Sequence, residues 1–375
     1  MISRRKMMAT AGTFASLAML DRFEMSSTLH AAGAGSAKAN GFHMPLESDP
    51  HQRTFMQWPS RAKIYGTQKA LETVRGKIAL IAQAISKFER VVVLARPEQM
   101  EPTTRSLGPG IDVWPINTED LWARDSGPSF VVSSSGHFAV SDLGFNGWGN
   151  KQSHLDDSLI AKRVANHLGL PTFANGISGE GGGVETDGAG TVIAHESCWV
   201  NSNRNRASKA EVERRLLDAL GAEKMIWAPG RKGADITDYH IDALARFVKP
   251  GQVVIQLPKT IDRNDPWSSA AFQTYEILKL TRDAQGRKLE IIIIPEPVKI
   301  RSRSADFISS YVNYYACNGA VIGAEFGDEK ADAEAVSILG KLYPGRSVVT
   351  LDIDPIGEAG GGIHCATQQQ PALKI

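Results

Sequence analysis

Apolar residues return at three- and four-residue steps in several stretches of the chain. In Thr67–Phe88 the positions Ala70, Leu71, Val74, Ile78, Ile81 and Ile85 make one apolar face, which predicts an amphipathic helix. The same periodicity predicts helices over His154–Leu168, Ser208–Leu220, Ser268–Ala284 and Glu329–Leu342. A short apolar or β-rich run follows each one: Val91–Ala95, Pro171–Ala174, Met225–Ala228, Leu289–Ile294 and Ser347–Leu351. Bounded by Gly, Pro or Asn, such runs read as buried strands. A further pattern places a Gly turn ahead of a β-branched strand, at Gly136, Gly190, Gly251 and Gly319. A strand-like stretch precedes each of these glycines, so they predict hairpins.

The unit is thus a helix, a strand and a hairpin, recurring every roughly 50–70 residues, the spacing of modular folds. One unit is too small to bury its own apolar faces, whereas several around a common axis would. A fifth hairpin would pair Gly361–Ala366 with Thr54–Trp58 and close the ring through the chain ends. A doubly wound α/β sheet is the rival layout, but hairpins between helices fit poorly with purely parallel strands. The pattern favours a closed ring of five mixed units over residues 40–375, a single domain.

Composition narrows the class. The 42% hydrophobic and 22% charged content suits a globular protein, and the formal net charge of +1 lacks the basic excess of a nucleic-acid binder. No apolar stretch beyond residue 40 is long enough to span a bilayer. Residues 1–39 read differently. The basic start Ser3-Arg4-Arg5-Lys6, the weakly apolar Ala9–Leu20 and the small-residue Ala37-Lys38-Ala39 follow the order of a twin-arginine export signal. A disordered basic N-terminus with an accidental Arg pair is the plainer alternative. The expectation is a periplasmic or secreted bacterial protein, and the three cysteines, Cys198, Cys317 and Cys365, then leave at least one thiol free or paired between chains.

Four chemically loaded segments fall at strand ends in different units: Trp122-Ala123-Arg124-Asp125-Ser126-Gly127-Pro128, Glu180-Gly181-Gly182-Gly183, His240-Ile241-Asp242, and Gly360-Gly361-Gly362-Ile363-His364-Cys365. In a ring, corresponding strand ends point to one axial cavity. Together with Ser310–Gly319 (SYVNYYACNG) and the closing CATQQQP, these segments resemble the agmatine deiminase family. Its relatives include the peptidyl-arginine and arginine deiminases. The similarity runs from about Met44 to the last residues, with GGGIHC its most specific piece. The resemblance implies the five-bladed, pseudo-symmetric α/β propeller (pentein) of the guanidine-modifying enzymes. It also implies a small cationic guanidine substrate and a hydrolysis that needs neither metal nor cofactor.

The residue types suit that chemistry. A guanidinium is planar, cationic and resonance-stabilised, so its carbon is a poor electrophile. Two carboxylates can each grip a pair of its N–H groups and fix its plane for attack. The resemblance gives those roles to Asp125 and Asp242, with Trp122 lining the substrate and Gly362 among the glycines that let backbone approach a ligand. It makes Cys365 the nucleophile, His240 the proton carrier and Glu180 the partner that orients His240. Help in forming the thiolate would come from the substrate's charge or from the His240 imidazolium.

Plainer readings stand beside these. Cys198 and Cys317, in strand-like sequence, read as buried small hydrophobes. Arg124 and Asp125 could form only a structural ion pair, and Arg124 reads as scaffold. His240-x-Asp242 could present two metal ligands, but no further His or Cys stands at a metal-like spacing. His364 would point to the opposite face of a strand from Cys365 and reads as structural. Glu180 could merely cap a turn. The family usually has Gly before the catalytic His where this chain has Tyr239, and a bulky Tyr there is expected to narrow or reshape the pocket. The substrate is expected to be agmatine, whose amine wants acidic or aromatic company (Asp235, Asp238 and Trp122 are candidates), or a peptide-borne arginine. An amidinotransferase and a non-catalytic guanidinium-binding protein are the remaining alternatives.

Overall fold

The structure, a computed structural model, describes residues 35–304 and 307–372. The arginine pair and the apolar run of the expected export signal lie outside the described residues. Ala37 and Lys38, by contrast, are tied to the domain: Ala37 is fully buried and Lys38 pairs with Glu223 at 2.8 Å. The folded region therefore begins a few residues before the expected boundary at 40. No helix of the described residues is long and apolar enough to cross a membrane.

Five separate sheets form, each built to the same plan. The first has the strand order Gln368–Pro371, His51–Gln57, Val91–Ala95, Ile111–Pro115, and so joins the two ends of the chain. The second runs Phe42–His43, Ser129–Ser133, Phe138–Asp142, Thr172–Ala174. The third (Val184–Thr186, Thr191–His195, Lys224–Ala228), fourth (Ala245–Lys249, Gln252–Leu257, Glu290–Pro295) and fifth (Tyr315–Cys317, Ala320–Glu325, Ser347–Asp352) have three strands each. In these three a hairpin pairs the first two strands antiparallel, and a helix crosses over to a third strand laid parallel.

The crossover helices are α1 (Gln68–Ile85), α2 (Ile160–His167), α3 (Lys209–Leu220), α4 (Pro266–Leu280) and α5 (Glu329–Leu342). Side chains of Thr67, Ser208, Asp265 and Asp328 accept backbone N–H groups at four of the five N-termini, satisfying donors that the helix itself cannot. Pro266 in the first turn of α4 starts that helix two residues earlier than its periodicity suggests.

Each helix wedges between its own sheet and the preceding one. α3 meets the second sheet, α4 the third, α5 the fourth, and α1 reaches the fifth. Ile160, Ala161 and Val164 of α2 share a cluster with Phe55 and Val92 of the first sheet and Phe130 and Val140 of the second. The contacts run from sheet to sheet and return to the start, so the ring closes. Apolar burial is spent between blades, where each fully buried Leu, Ile or Phe is worth about 1.5–3 kcal/mol. The charged groups Asp125, His240 and Asp242 instead face a hollow that apolar residues such as Ile64, Val74 and Trp122 also line.

One strand is not where the pattern put it. Gly361–Ala366 forms turns, and the strand that closes the ring is Gln368–Pro371, paired antiparallel with His51–Gln57. Its buried side chains are glutamines tied by hydrogen bonds, Gln368 to the Pro128 carbonyl and Gln369 to Arg124, so the apolar signal of a strand is missing. The pattern also omitted the helix Met100–Leu107 and the outer strand Ile111–Pro115 behind it.

Candidate active site

Turns at the inner ends of different sheets bring Trp122, Asp125, His240, Asp242 and Cys365 to the wall of one cavity of about 620 Å³. The three-glycine run after Glu180 makes this convergence possible. A Cβ on Gly182 would stand 2.7 Å from Asp125 Oδ1, 2.8 Å from His240 Nδ1 and 3.1 Å from Asp242 Oδ2. Any side chain there would push the three groups apart. Gly181 and Gly183 are equally confined, against the Arg124 carbonyl and the Trp199 ring.

Cys365 Sγ lies 3.5 Å from Asp242 Oδ2 and accepts from Asn313 Nδ2 at 3.2 Å. His240 Nε2 faces Glu180 Oε2 at 3.1 Å, and its Nδ1 is 3.6 Å from Asp125 Oδ1. Burial alone would lower the pKa of His240, but the carboxylates of Asp125 and Glu180 outweigh it and hold the imidazolium up to about 9. Glu180 is itself held by Arg204, which also grips Asp238 and the Thr237 carbonyl and so ties the His240 loop to the Glu180 turn.

The two carboxylates are held differently. Asp125 accepts from the Trp148 indole at 2.9 Å and the Gly182 amide at 3.2 Å, both neutral donors. Burial raises its pKa to about 6 despite the pull of His240. Asp242 accepts from His364 Nδ1 at 2.7 Å, and the other ring nitrogen of His364 stands 2.7 Å from Glu47. Glu47 in turn pairs with Arg124 and Arg246. Burial would raise Asp242 too, yet the His364 hydrogen bond and charge win and hold its carboxyl below the usual range. Asp242 Oδ1 is buried and has no hydrogen-bond partner among the described residues. For Cys365 every strong influence points the other way: burial first, then the charges of Asp242 and Asp125, push the thiol well above its ordinary value.

Several expectations need correction. Tyr239 does not line the cavity: its ring packs edge-on against Trp267 at 4.5 Å and beside His195, inside the third and fourth blades. Its backbone instead occupies the left-handed region (φ 73°) that a glycine would take without strain. Asp238 is committed to Arg204 and Lys151 and is no part of the cavity wall, whereas Asp235 is. Gly362 is not at the wall either: a Cβ there would run into the Asn313 amide, and its backbone amide serves the Cys365 sulfur. His364 sits in a turn and not on a strand face, and its ring holds Asp242. Arg124 pairs with Glu47, not with Asp125. Cys198 and Cys317 are buried free thiols as expected, though Cys198 sits in a short helix, Glu196–Trp199.

Sequence reasoning missed Asn313, Trp148, Glu47 and His364 as parts of this site. Asn313 had a visible signal, a lone amide inside the apolar SYVNYYAC, and Trp148 lay between two glycines in Phe145–Asn150. Nothing local marked Glu47. Among the described residues no three His, Cys, Asp or Glu side chains converge in a way that could hold a metal ion.

A ring of mixed blades that gathers a thiol, an imidazole and opposed carboxylates at its axis defines a hydrolase of carbon–nitrogen bonds in amidines. Known proteins agree. The chain matches the profile of the Porphyromonas-type peptidyl-arginine deiminases over residues 43–371 and belongs to that family. It is 36% identical to the agmatine deiminase of Medicago truncatula, the alignment covering 89% of this chain and 97% of that one. Identity to the agmatine deiminase of Pseudomonas aeruginosa (strain LESB58) is likewise 36%, over 89% and 97% of the two chains. The solved agmatine deiminase of Enterococcus faecalis superposes with a TM-score of 0.83 at 30% identity, covering 90% of this chain and 98% of that one.

Proposed function

We propose that the protein hydrolyses agmatine to N-carbamoylputrescine and ammonia through a covalent amidino-cysteine intermediate. The observation that carries this reading is the setting of Cys365, a half-buried thiol against two carboxylates. Such a thiol stays protonated until a cation neutralises its neighbours. A guanidinium bound between Asp125 and Asp242 is that cation, and Asp242 Oδ1 is an acceptor left for its N–H groups.

The steps follow from the groups. On binding, the thiol releases its proton to solvent and Sγ attacks the guanidinium carbon, the C=N π pair moving onto nitrogen. His240 Nδ1, with Nε2 engaged by Glu180, gives its proton to the departing nitrogen, and ammonia leaves. The neutral imidazole then takes a proton from water, hydroxide adds to the amidino carbon, the C–S bond breaks, and the protonated urea so formed returns a proton to the leaving thiolate as the ureido product departs. Trp122, whose ring a Cβ on Gly361 would meet at 2.3 Å, walls the substrate's path.

Asp120, Asp235 and Glu358 also line the cavity, with Lys69 the one basic lining residue beyond His240 among the described residues. That excess of acid suits a substrate whose far end is an amine and disfavours the carboxylate of free arginine. The cavity's size supports a second reading, a peptide-borne arginine. Ammonia and ureido product measured with agmatine, free arginine and a blocked arginine peptide separate the two: faster turnover of the peptide than of agmatine would put the peptide first and overturn the agmatine assignment. We also propose export, on the basic, apolar and small-residue order of the N-terminus. Fractionation of cells expressing the whole chain tests it, and recovery wholly in the cytoplasm would contradict it.

A further inference from the structure

We propose that Trp148 is a positioning residue for the deimination, its indole N–H fixing the Asp125 carboxylate in the orientation that receives the guanidinium. The inference rests on the function proposed above.

The backbone is the first reason. Gly147, Trp148, Gly149 and Asn150 have φ of 66°, 54°, 81° and 61°, four consecutive residues in the left-handed region. Trp148 (ψ 45°) and Gly149 (ψ 37°) make a left-handed helical turn, closed by Asn150 N–H to the Asn146 carbonyl at 2.8 Å and Lys151 N–H to that of Gly147 at 3.0 Å. L-residues are strained in such a turn and visit it as single residues. It persists because its surroundings dictate it. A Cβ on Gly147 would run into the His154 ring, and one on Gly149 would stand 2.5 Å from the Asn203 amide. The Asn146 side chain accepts from Gly149 N–H and donates to the Asn203 carbonyl. Strain maintained in this way concentrates at functional sites.

The product of the turn is the second reason. It presents a nearly buried Trp148 to the cavity, with its ring edge-on to Phe145 at 5.1 Å and its N–H 2.9 Å from Asp125 Oδ2. A core tryptophan needs no left-handed turn to fill space.

The chemistry is the third. Asp125 must be ionised to grip a guanidinium, yet it is buried and faces the charges of Asp242 and Glu180 as well as His240 and the Cys365 thiol. A lysine or arginine donor would secure its charge but repel the cationic substrate. An indole N–H stabilises the carboxylate and adds no charge.

The test is kcat/KM against pH for wild type and Trp148→Phe with agmatine, alongside the thermal unfolding of both. Loss of one hydrogen bond to a charged group moves the acid limb up by about one pH unit. At pH values below that limb the variant falls about tenfold behind wild type, and the gap narrows as pH rises. A ring that only filled space would lower activity alike at every pH, so a folded variant with an unmoved limb overturns the proposal. Should Trp148→Phe not fold, indole N–H resonances of wild type and Asp125→Asn are compared across pH. The proposal requires one indole resonance to titrate with Asp125 and to stop doing so in the variant, and its absence overturns it. A wild type that releases no ammonia from any guanidine overturns the function instead, and the resonance still tests the contact.

Discussion

Asp125 and Asp242 face each other across one glycine, yet they are held by opposite means. Asp242 sits on a buried hydrogen-bonded chain, His364, Glu47, Arg246 and Arg124, and its carboxyl stays below the usual range. Asp125 has neutral donors beneath it and rises to about 6. The difference gives two similar carboxylates two duties on the proposed reading. Asp242 is the fixed anion beside the sulfur, and Asp125 is the one whose ionisation follows its surroundings. The same arrangement keeps the thiol protonated, because permanent negative charge near sulfur disfavours a thiolate until substrate arrives.

The largest expected effect comes from removing what both carboxylates surround. Cys365→Ala should cut ammonia release by about 10⁴-fold or more while calorimetry still detects agmatine binding. Turnover surviving in that variant would exclude the covalent route. Gly182→Ala drives a methyl between the two acids and His240, and misplacement of that size should lower kcat by about 10²-fold.

His364→Ala breaks the charged side alone. Glu47 and Asp242 then share a buried site without their imidazole, which should cost about 3–5 kcal/mol in unfolding free energy. The loss for Trp148→Phe on the neutral side should be nearer 1 kcal/mol. Equal losses from the two variants would erase the distinction between the two carboxylates.

The pH profile of wild-type kcat/KM should be a bell. Activity falls as pH drops through about 6, where Asp125 protonates, and again as pH rises through about 9, where His240 loses its proton. The smallest effect is expected at Tyr239→Phe, whose ring faces Trp267 and not the cavity. Its KM should stay within about twofold of wild type.

The repeated blade was legible because each helix carries its own apolar face and each hairpin its own glycine. Residues 329–342 were bounded correctly from periodicity alone, with the Asp328 cap just ahead. The closing strand was misplaced because its glutamines are buried through hydrogen bonds to Pro128 and Arg124, partners some 240 residues away. The groups that meet at the cavity wall were readable from motifs, but the groups that hold them were not. Glu47, Asn313 and Trp148 act across sheets, and their meaning appears only once the ring has closed. Tyr239 shows the same limit: the residue type suggested a filled pocket, whereas the backbone turn sends the ring into the core.

The most direct measurement of the central claim, a thiol held protonated until substrate arrives, is the ultraviolet difference spectrum of wild type minus Cys365→Ala, read at the thiolate band across pH. It is recorded with and without a saturating guanidinium compound that is not turned over. Without the ligand, no thiolate should appear at Cys365 up to about pH 8, and with it the band should be present at about pH 7. A thiolate already formed at neutral pH in the free enzyme would contradict the account.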